Sequence, residues 1–178
     1  MPHPILNLDD VKLLDWGHGG AATPGLGEAP ERFQARMGEI GGRLGSRQLG
    51  YMLTITPPGK AAFPRHSHRA NEEMFFILEG QGEVLIGEAR HPIRAGDVIC
   101  CPAGGPETAH QIVNTGQADL KYLGVSTLIS PEFVDYPDSG KFGVSIYEDG
   151  EVPDGRRPRR FRQLVRRSEE QPDYWEGE

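Results

Sequence analysis

The chain has 178 residues, enough for one domain with a packed core, or for such a domain flanked by long arms. Its 26 acidic and 19 basic side chains leave a net charge of −7, which argues against a nucleic-acid partner. The 24 glycines and 15 prolines favour short strands joined by turns over long helices.

No run approaches ~20 apolar residues, so neither a membrane span nor a membrane partner is expected. The opening stretch "MPHPILNLDDVKLLDW" lacks the basic start and apolar centre of a signal peptide. Within it, "LDDVKLLDW" reads as a turn or two of helix. Residues 17 to 30, "GHGGAATPGLGEAP", form a loop with no Gly-x4-Gly-Lys-Ser/Thr pattern, which excludes a phosphate loop. His18 reads as a solvated loop residue.

From residue 33 onward the apolar segments are short: "FQARM", "LGYMLTIT", "EMFFIL", "EVLIG", "DVICC", "HQIVN", "LKYLGVST" and "FGVSIYE". The turn signals "PPGK", "EGQG", "RAGD", "PAGGP", "NTGQ" and "YPDSG" punctuate them, and this spacing predicts an all-β sandwich or barrel. The two cysteines, Cys100 and Cys101, are adjacent and badly placed to bridge each other; they read as half-buried thiols in a reduced, cytoplasmic protein. Residues 156 to 167, "RRPRRFRQLVRR", carry seven arginines and read as a solvated arm pairing with acidic surface, followed by the acidic "SEEQPDYWEGE". The expected organisation is an N-terminal arm with an edge strand over 1–44, a barrel core over 45–130 and a C-terminal extension over 131–178. The edge strand, at 31 to 44, is expected to join a second copy's sheet in a homodimer.

The chemistry concentrates in "PRHSHRANEEMFFILEG", residues 64 to 80. In a strand, positions i and i+2 share a face, so His66 and His68 project together while Ser67 points away. Two imidazoles on one face can converge on one cation. A carboxylate from "EEMFFILEG" can join them: Glu73 is in phase with Phe75 and Ile77, Glu72 with Met74 and Phe76. His110, in phase with Ile112 and Asn114, can supply a fourth group. Three imidazoles and a carboxylate suit one divalent transition metal (Fe, Zn, Mn, Ni or Cu) and not calcium or magnesium. Tyr51, Tyr122 and Glu107 are candidates for contacts with substrate or support of the ligands, and Lys141 for contact with an anion.

The spacings Gly59-x6-His66-x-His68-x4-Glu73-x6-Gly80 and Gly96-x5-Pro102-x-Gly104-x5-His110-x3-Asn114 resemble the two signatures of the cupin superfamily, over roughly residues 45 to 128. The second signature is longer than usual before its histidine, which makes "GGPETA" an inserted loop. The resemblance implies a double-stranded β-helix (jelly-roll) barrel, with irregular arms on either side. It also implies His66, His68, Glu73 and His110 as ligands of a metal at the barrel's bottom. Gly80 and Gly82 then read as a tight hairpin between "FFIL" and "EVLI", and Asn114 as a turn-stabilising side chain. The flanks "YPDSGK" and "DYWEGE" are similar to those of small, largely uncharacterised bacterial cupins. The implied function is a metal-dependent protein acting on an oxygen-rich small molecule (a sugar, keto acid or phenolic acid) by isomerisation, dioxygenation or decarboxylation. The alternative is a barrel that binds or senses a small ligand without chemistry.

Overall fold

The computed structural model describes residues 3–20, 27–147, 159–166, 175 and 177. Their regular structure is strand and 3-10 turn, without an α-helix. The protein is an all-β jelly roll of the double-stranded β-helix type. No helix among the described residues is long and apolar enough to cross a membrane.

The largest sheet contains β1 (Leu14–Gly17), β2 (Gln34–Glu39), β3 (Leu49–Thr56), β5 (Glu73–Glu79), β8 (Val98–Cys101) and β10 (Leu120–Thr127). Their order is β1-β2-β3-β10-β5-β8. A second sheet, in the order β13-β12-β11-β4, joins β13 (Arg159–Arg166), β12 (Lys141–Tyr147), β11 (Glu132–Tyr136) and the two-residue β4 (Ser67–His68). A third, β7-β6-β9, joins β7 (Ala89–Arg94), β6 (Gln81–Ile86) and β9 (His110–Val113).

Side-chain alternation decides what each strand buries. On β5, Ile77 is fully enclosed and Phe75 packs beside it, while Phe76 faces outward, as does Glu72 just before the strand. Ile77 joins Val84, Ile93, Ile99, Cys101, Ile112, Leu120 and Tyr122 in a core drawn from the first and third sheets. Alternation also separates the cysteines: Cys101 is buried and Cys100 exposed, so they are not two half-buried thiols.

Five strands lie outside the eight apolar segments, and each has a local reason. β7, "ARHPIR", contains a proline and buries only Ile93; it is tolerated because it is an edge strand, needing ladder donors on one side only. β4 is too short to show a period. β11 alternates Glu132, Val134 and Tyr136 with Phe133 and Asp135, so both faces carry an acid. β1 takes the last three residues of the expected helix, and Gly17 after them. Before it the chain makes one 3-10 turn, Leu8–Asp10, capped by Asn7 accepting from Asp9 N at 2.9 Å, and then extends. Leu6, Leu8, Val11 and Leu13 cover Ile40, Leu53, Leu78 and Leu123 instead of turning about their own axis.

The fifth is β13. Described residues of the arginine run are not an arm: Arg159–Arg166 pairs antiparallel with β12 from Lys141↔Arg166 to Tyr147↔Arg159. "RFRQLVR" contains enough β-formers for a ladder once a template strand is present.

The expected hairpin at Gly80 does not form. β5 pairs with β10 and β8, while β6 pairs with β7 and β9. Gly80, at φ 85°, is a corner where the chain leaves one sheet for another; a Cβ there would stand 2.5 Å from the Asp119 carbonyl oxygen. β2 is likewise no free edge, since β1 and β3 flank it within the same chain. β2 therefore offers no open edge to a second copy.

Candidate metal centre

The backbone brings the two histidine segments together before any side chain acts. His66 N donates to His110 O at 3.1 Å, and His110 N donates to His66 O at 2.8 Å. Gly104 N donates to His68 O at 2.8 Å, tying the other end of the segment to the loop before β9. Glu73 opens β5 in the facing sheet. Alternation on each segment then turns His66, His68, Glu73 and His110 to one place, with Ser67 buried on the opposite side.

Three imidazoles converge on one carboxylate oxygen. Glu73 Oε2 lies 2.8 Å from His110 Nε2, 3.4 Å from His68 Nε2 and 3.9 Å from His66 Nε2. Ligand atoms of His66, His68 and Glu73 all lie within 4.8 Å of one another, a spacing one cation can bridge. The ring centroids of His66 stand 5.0 Å from those of His68 and 4.8 Å from those of His110.

The electrostatics are those of a crowded, dry site. Burial lowers the His66 pKa to about 4, against the pull of Glu73. Burial also pushes His68 down, but the carboxylates of Glu132 and Glu73 outweigh it and raise His68 to about 10. Glu73 is driven up by burial but ends below the ordinary carboxylate range, because His110 hydrogen-bonds its charged form and the His68 imidazole stands close beside it.

The donor set fits a divalent transition metal. His68 Nδ1 and Nε2 and His110 Nδ1 are buried without a hydrogen-bond partner, an expensive arrangement that a cation at the Nε2 atoms would relieve in part. Three nitrogen donors and one anionic oxygen match borderline metals and leave coordination positions for water or ligand. Iron, zinc, manganese and nickel all satisfy that chemistry.

The cluster opens into a cleft of about 1440 Å³, lined in part by Tyr51, Phe63, Phe75, Gln111, Tyr122 and Tyr136. Tyr51 and Tyr122 both line it, so two of the three auxiliary candidates share the cleft with the ligands. Tyr122 packs edge-on to Phe75 at 5.9 Å, and burial raises its phenol above the usual value. Glu107 is not brought there. It is exposed on the 3-10 turn Pro106–Thr108, where its Oε1 accepts from Gly105 N at 2.8 Å. The inserted loop thus spends its carboxylate on its own turn.

Two residues of the site went unread in the sequence. Tyr136 stacks on His66 at 6.1 Å. Glu132 is 4 % exposed, and its Oε1 lies 3.6 Å from His68 Nδ1. The available signal was an acid in phase with Val134 and Tyr136 in an alternating segment, masked by the flanking Pro131 and Pro137.

Comparison with known proteins agrees with the fold. Residues 52–126 match the family model described as "Cupin domain". The chain is 38 % identical over 69 residues to the uncharacterized protein MJ1618 of Methanocaldococcus jannaschii, covering 39 % of this chain and 52 % of that one. It is 37 % identical over 73 residues to the oxalate-binding protein of Thermotoga maritima, covering 41 % of this chain and 57 % of that one. The chain therefore spans about half the length of these curated relatives. Among solved structures, a sugar phosphate isomerase of the cupin superfamily from Silicibacter pomeroyi superposes with a TM-score of 0.69 at 28 % identity, over 80 % of this chain and 87 % of that one. The paired signatures, the jelly roll and the matched segment agree: residues 52–126 match a cupin domain, and the fold around them is that of cupin proteins.

Proposed function

We propose that this protein holds one divalent transition metal through His66, His68, Glu73 and His110 and acts there on an oxygen-rich, anionic small molecule. The carrying observation is the convergence of three histidine Nε2 atoms on Glu73 Oε2 at the wall of an open cleft. When bound, such a metal polarises a carbonyl or hydroxyl oxygen or lowers the pKa of water.

The chain's own groups supply the rest. Lys141 and Arg162, on β12 and β13, bring positive charge to the cleft wall, while Asp138 on the same wall is engaged by Arg65 at 2.8 Å. Glu28 and Glu39 line other parts of the cleft, so it is against β12 and β13 that an anionic group on the ligand is favoured over a neutral one. Phe63, Phe75 and Tyr136 provide apolar faces against which a small carbon skeleton can rest. Tyr122, held protonated by burial, is suited to donate a hydrogen bond to a developing oxyanion. A keto acid or a sugar acid or phosphate has the required combination of oxygen atoms and charge, and isomerisation, dioxygenation and decarboxylation are all compatible with the site.

A second reading, ligand binding without turnover, is supported by the name of the Thermotoga maritima relative, an oxalate-binding protein. The deciding experiment has two parts. Elemental analysis of protein purified without added metal is expected to find one transition-metal ion per chain. A panel of oxygen-rich anions and their neutral counterparts, added to that protein, is expected to raise the melting temperature with the anions alone. Absence of metal sinks the metal-dependent reading. Equal response to neutral compounds sinks the anion preference, and chemical conversion of a responding ligand separates enzyme from binder.

A further inference from the structure

We infer that Glu132 is a positioning residue for His68, holding its imidazole with the proton on Nδ1 so that Nε2 faces the cation. This rests on the reading that the His66, His68, Glu73 and His110 cluster binds metal.

Glu132 is an acid enclosed by the fold. It is 4 % exposed, and neither Oε1 nor Oε2 has a hydrogen-bond partner among the described residues. A buried carboxyl group left without a hydrogen bond is costly, so a partner must offset it. The nearest ionisable nitrogen among the described residues is His68 Nδ1, 3.6 Å from Oε1. That is just beyond hydrogen-bond length, a gap that a small rotation of either side chain closes.

The two nitrogens of His68 look in opposite directions. Nε2 faces Glu73 Oε2 at 3.4 Å, toward the cluster, and Nδ1 faces Glu132. His66 shows the same division: its Nε2 faces Glu73 Oε2, and its Nδ1–H donates to the Pro64 carbonyl at 2.8 Å. A backbone carbonyl thus backs one histidine and the Glu132 carboxylate backs the other. An imidazole whose Nδ1 carries the donated proton offers a lone pair at Nε2, and a carboxylate acceptor makes that nitrogen more basic.

Register places Glu132 for this role. β11 pairs with β4 through Val134↔His68, and Glu132, two residues from Val134, shares its face. Glu132 does not line the cleft, so it backs His68 without touching a ligand in that space. It also lies outside residues 52–126, so the matched cupin segment does not account for it.

Cobalt(II) titration, followed by its visible absorption, tests this on the full chain as parent, Glu132→Gln and Glu132→Ala. Expected are uptake by the parent, about tenfold weaker binding by Glu132→Gln and up to about 100-fold weaker binding by Glu132→Ala. Imidazole ¹⁵N shifts of the metal-loaded parent should show the His68 proton on Nδ1, with that preference lost in Glu132→Ala. Should Glu132→Ala fail to fold, the near-isosteric Glu132→Gln carries the comparison. Cobalt affinity in Glu132→Gln equal to the parent's overturns the inference and leaves the metal site standing. No cobalt uptake by the parent removes both.

Discussion

Glu72 and Glu73 are neighbours in sequence with opposite environments. Glu73 Oε2 is shared by three imidazoles, whereas Glu72 is exposed and touches the fold through its backbone, its N–H donating to Thr127 Oγ1 at 3.0 Å. Glu73→Ala removes an anionic ligand and is expected to weaken metal binding by more than the roughly 100-fold upper range for supporting residues. Glu72→Ala should leave binding unchanged and shift stability by about 0.5 kcal/mol. Metal titration of both variants checks this; loss in Glu72→Ala with retention in Glu73→Ala would reverse the assignment. Protons compete for the same nitrogens. Metal-free His68, raised to about 10, is protonated at neutral pH, while His66, lowered to about 4, is already neutral. Binding near pH 7 should therefore release about one proton, and affinity should rise about tenfold per pH unit until His68 deprotonates on its own. Calorimetry in two buffers of different protonation enthalpy measures that release, and a pH-independent affinity would show that His68 is not a ligand.

Among the elements, β9 shows how a strand end is fixed. Asn114 is fully buried just after it and donates to Thr56 O and Ala118 O, both at 2.8 Å, while accepting from Gly116 N at 2.9 Å. One side chain thus joins the end of β9, the end of β3 and the turn leading to β10, which keeps His110 at the head of β9 in register. Asn114→Ala leaves buried backbone groups unpaired and is expected to cost about 3 kcal/mol. Urea unfolding measures that cost, and a change below about 1 kcal/mol would mean that water replaces the side chain. The turn role of Asn114 was legible from "VNTG" because Asn before Gly has a local mechanism. The corner at Gly80 was not, since a glycine permits both a hairpin and a sheet change, and pairing with β10 decides between them.

For the whole molecule, the four candidate ligands come from the His66–His68 segment, β5 and β9, so a bound cation links segments up to 44 residues apart in the chain, from His66 to His110. Its binding energy is then folding energy, about 4 kcal/mol at a thousandfold excess over Kd. Chelation should lower the melting temperature and added metal restore it; an unchanged transition after confirmed removal would mean the cluster folds without need of an ion. The homodimer expected from the sequence still stands as a proposal, now through edges other than β2, since β1 and β8 end the six-stranded sheet. A monomeric mass in solution at micromolar concentration would refute it.

The sequence by itself determined the all-β class, the eight principal strands and the inward phase of Glu73, Phe75 and Ile77, because period-two alternation and turn residues act over a few positions. It also singled out the His-x-His pair and His110, since spacing along a strand sets the face of a side chain. Only the tertiary structure decided that Glu107 caps its own loop, that the described part of the arginine run is a strand, and that Glu132 stands behind His68. Each of these depends on which distant segment lies across the gap, and neither local propensity nor spacing contains that information.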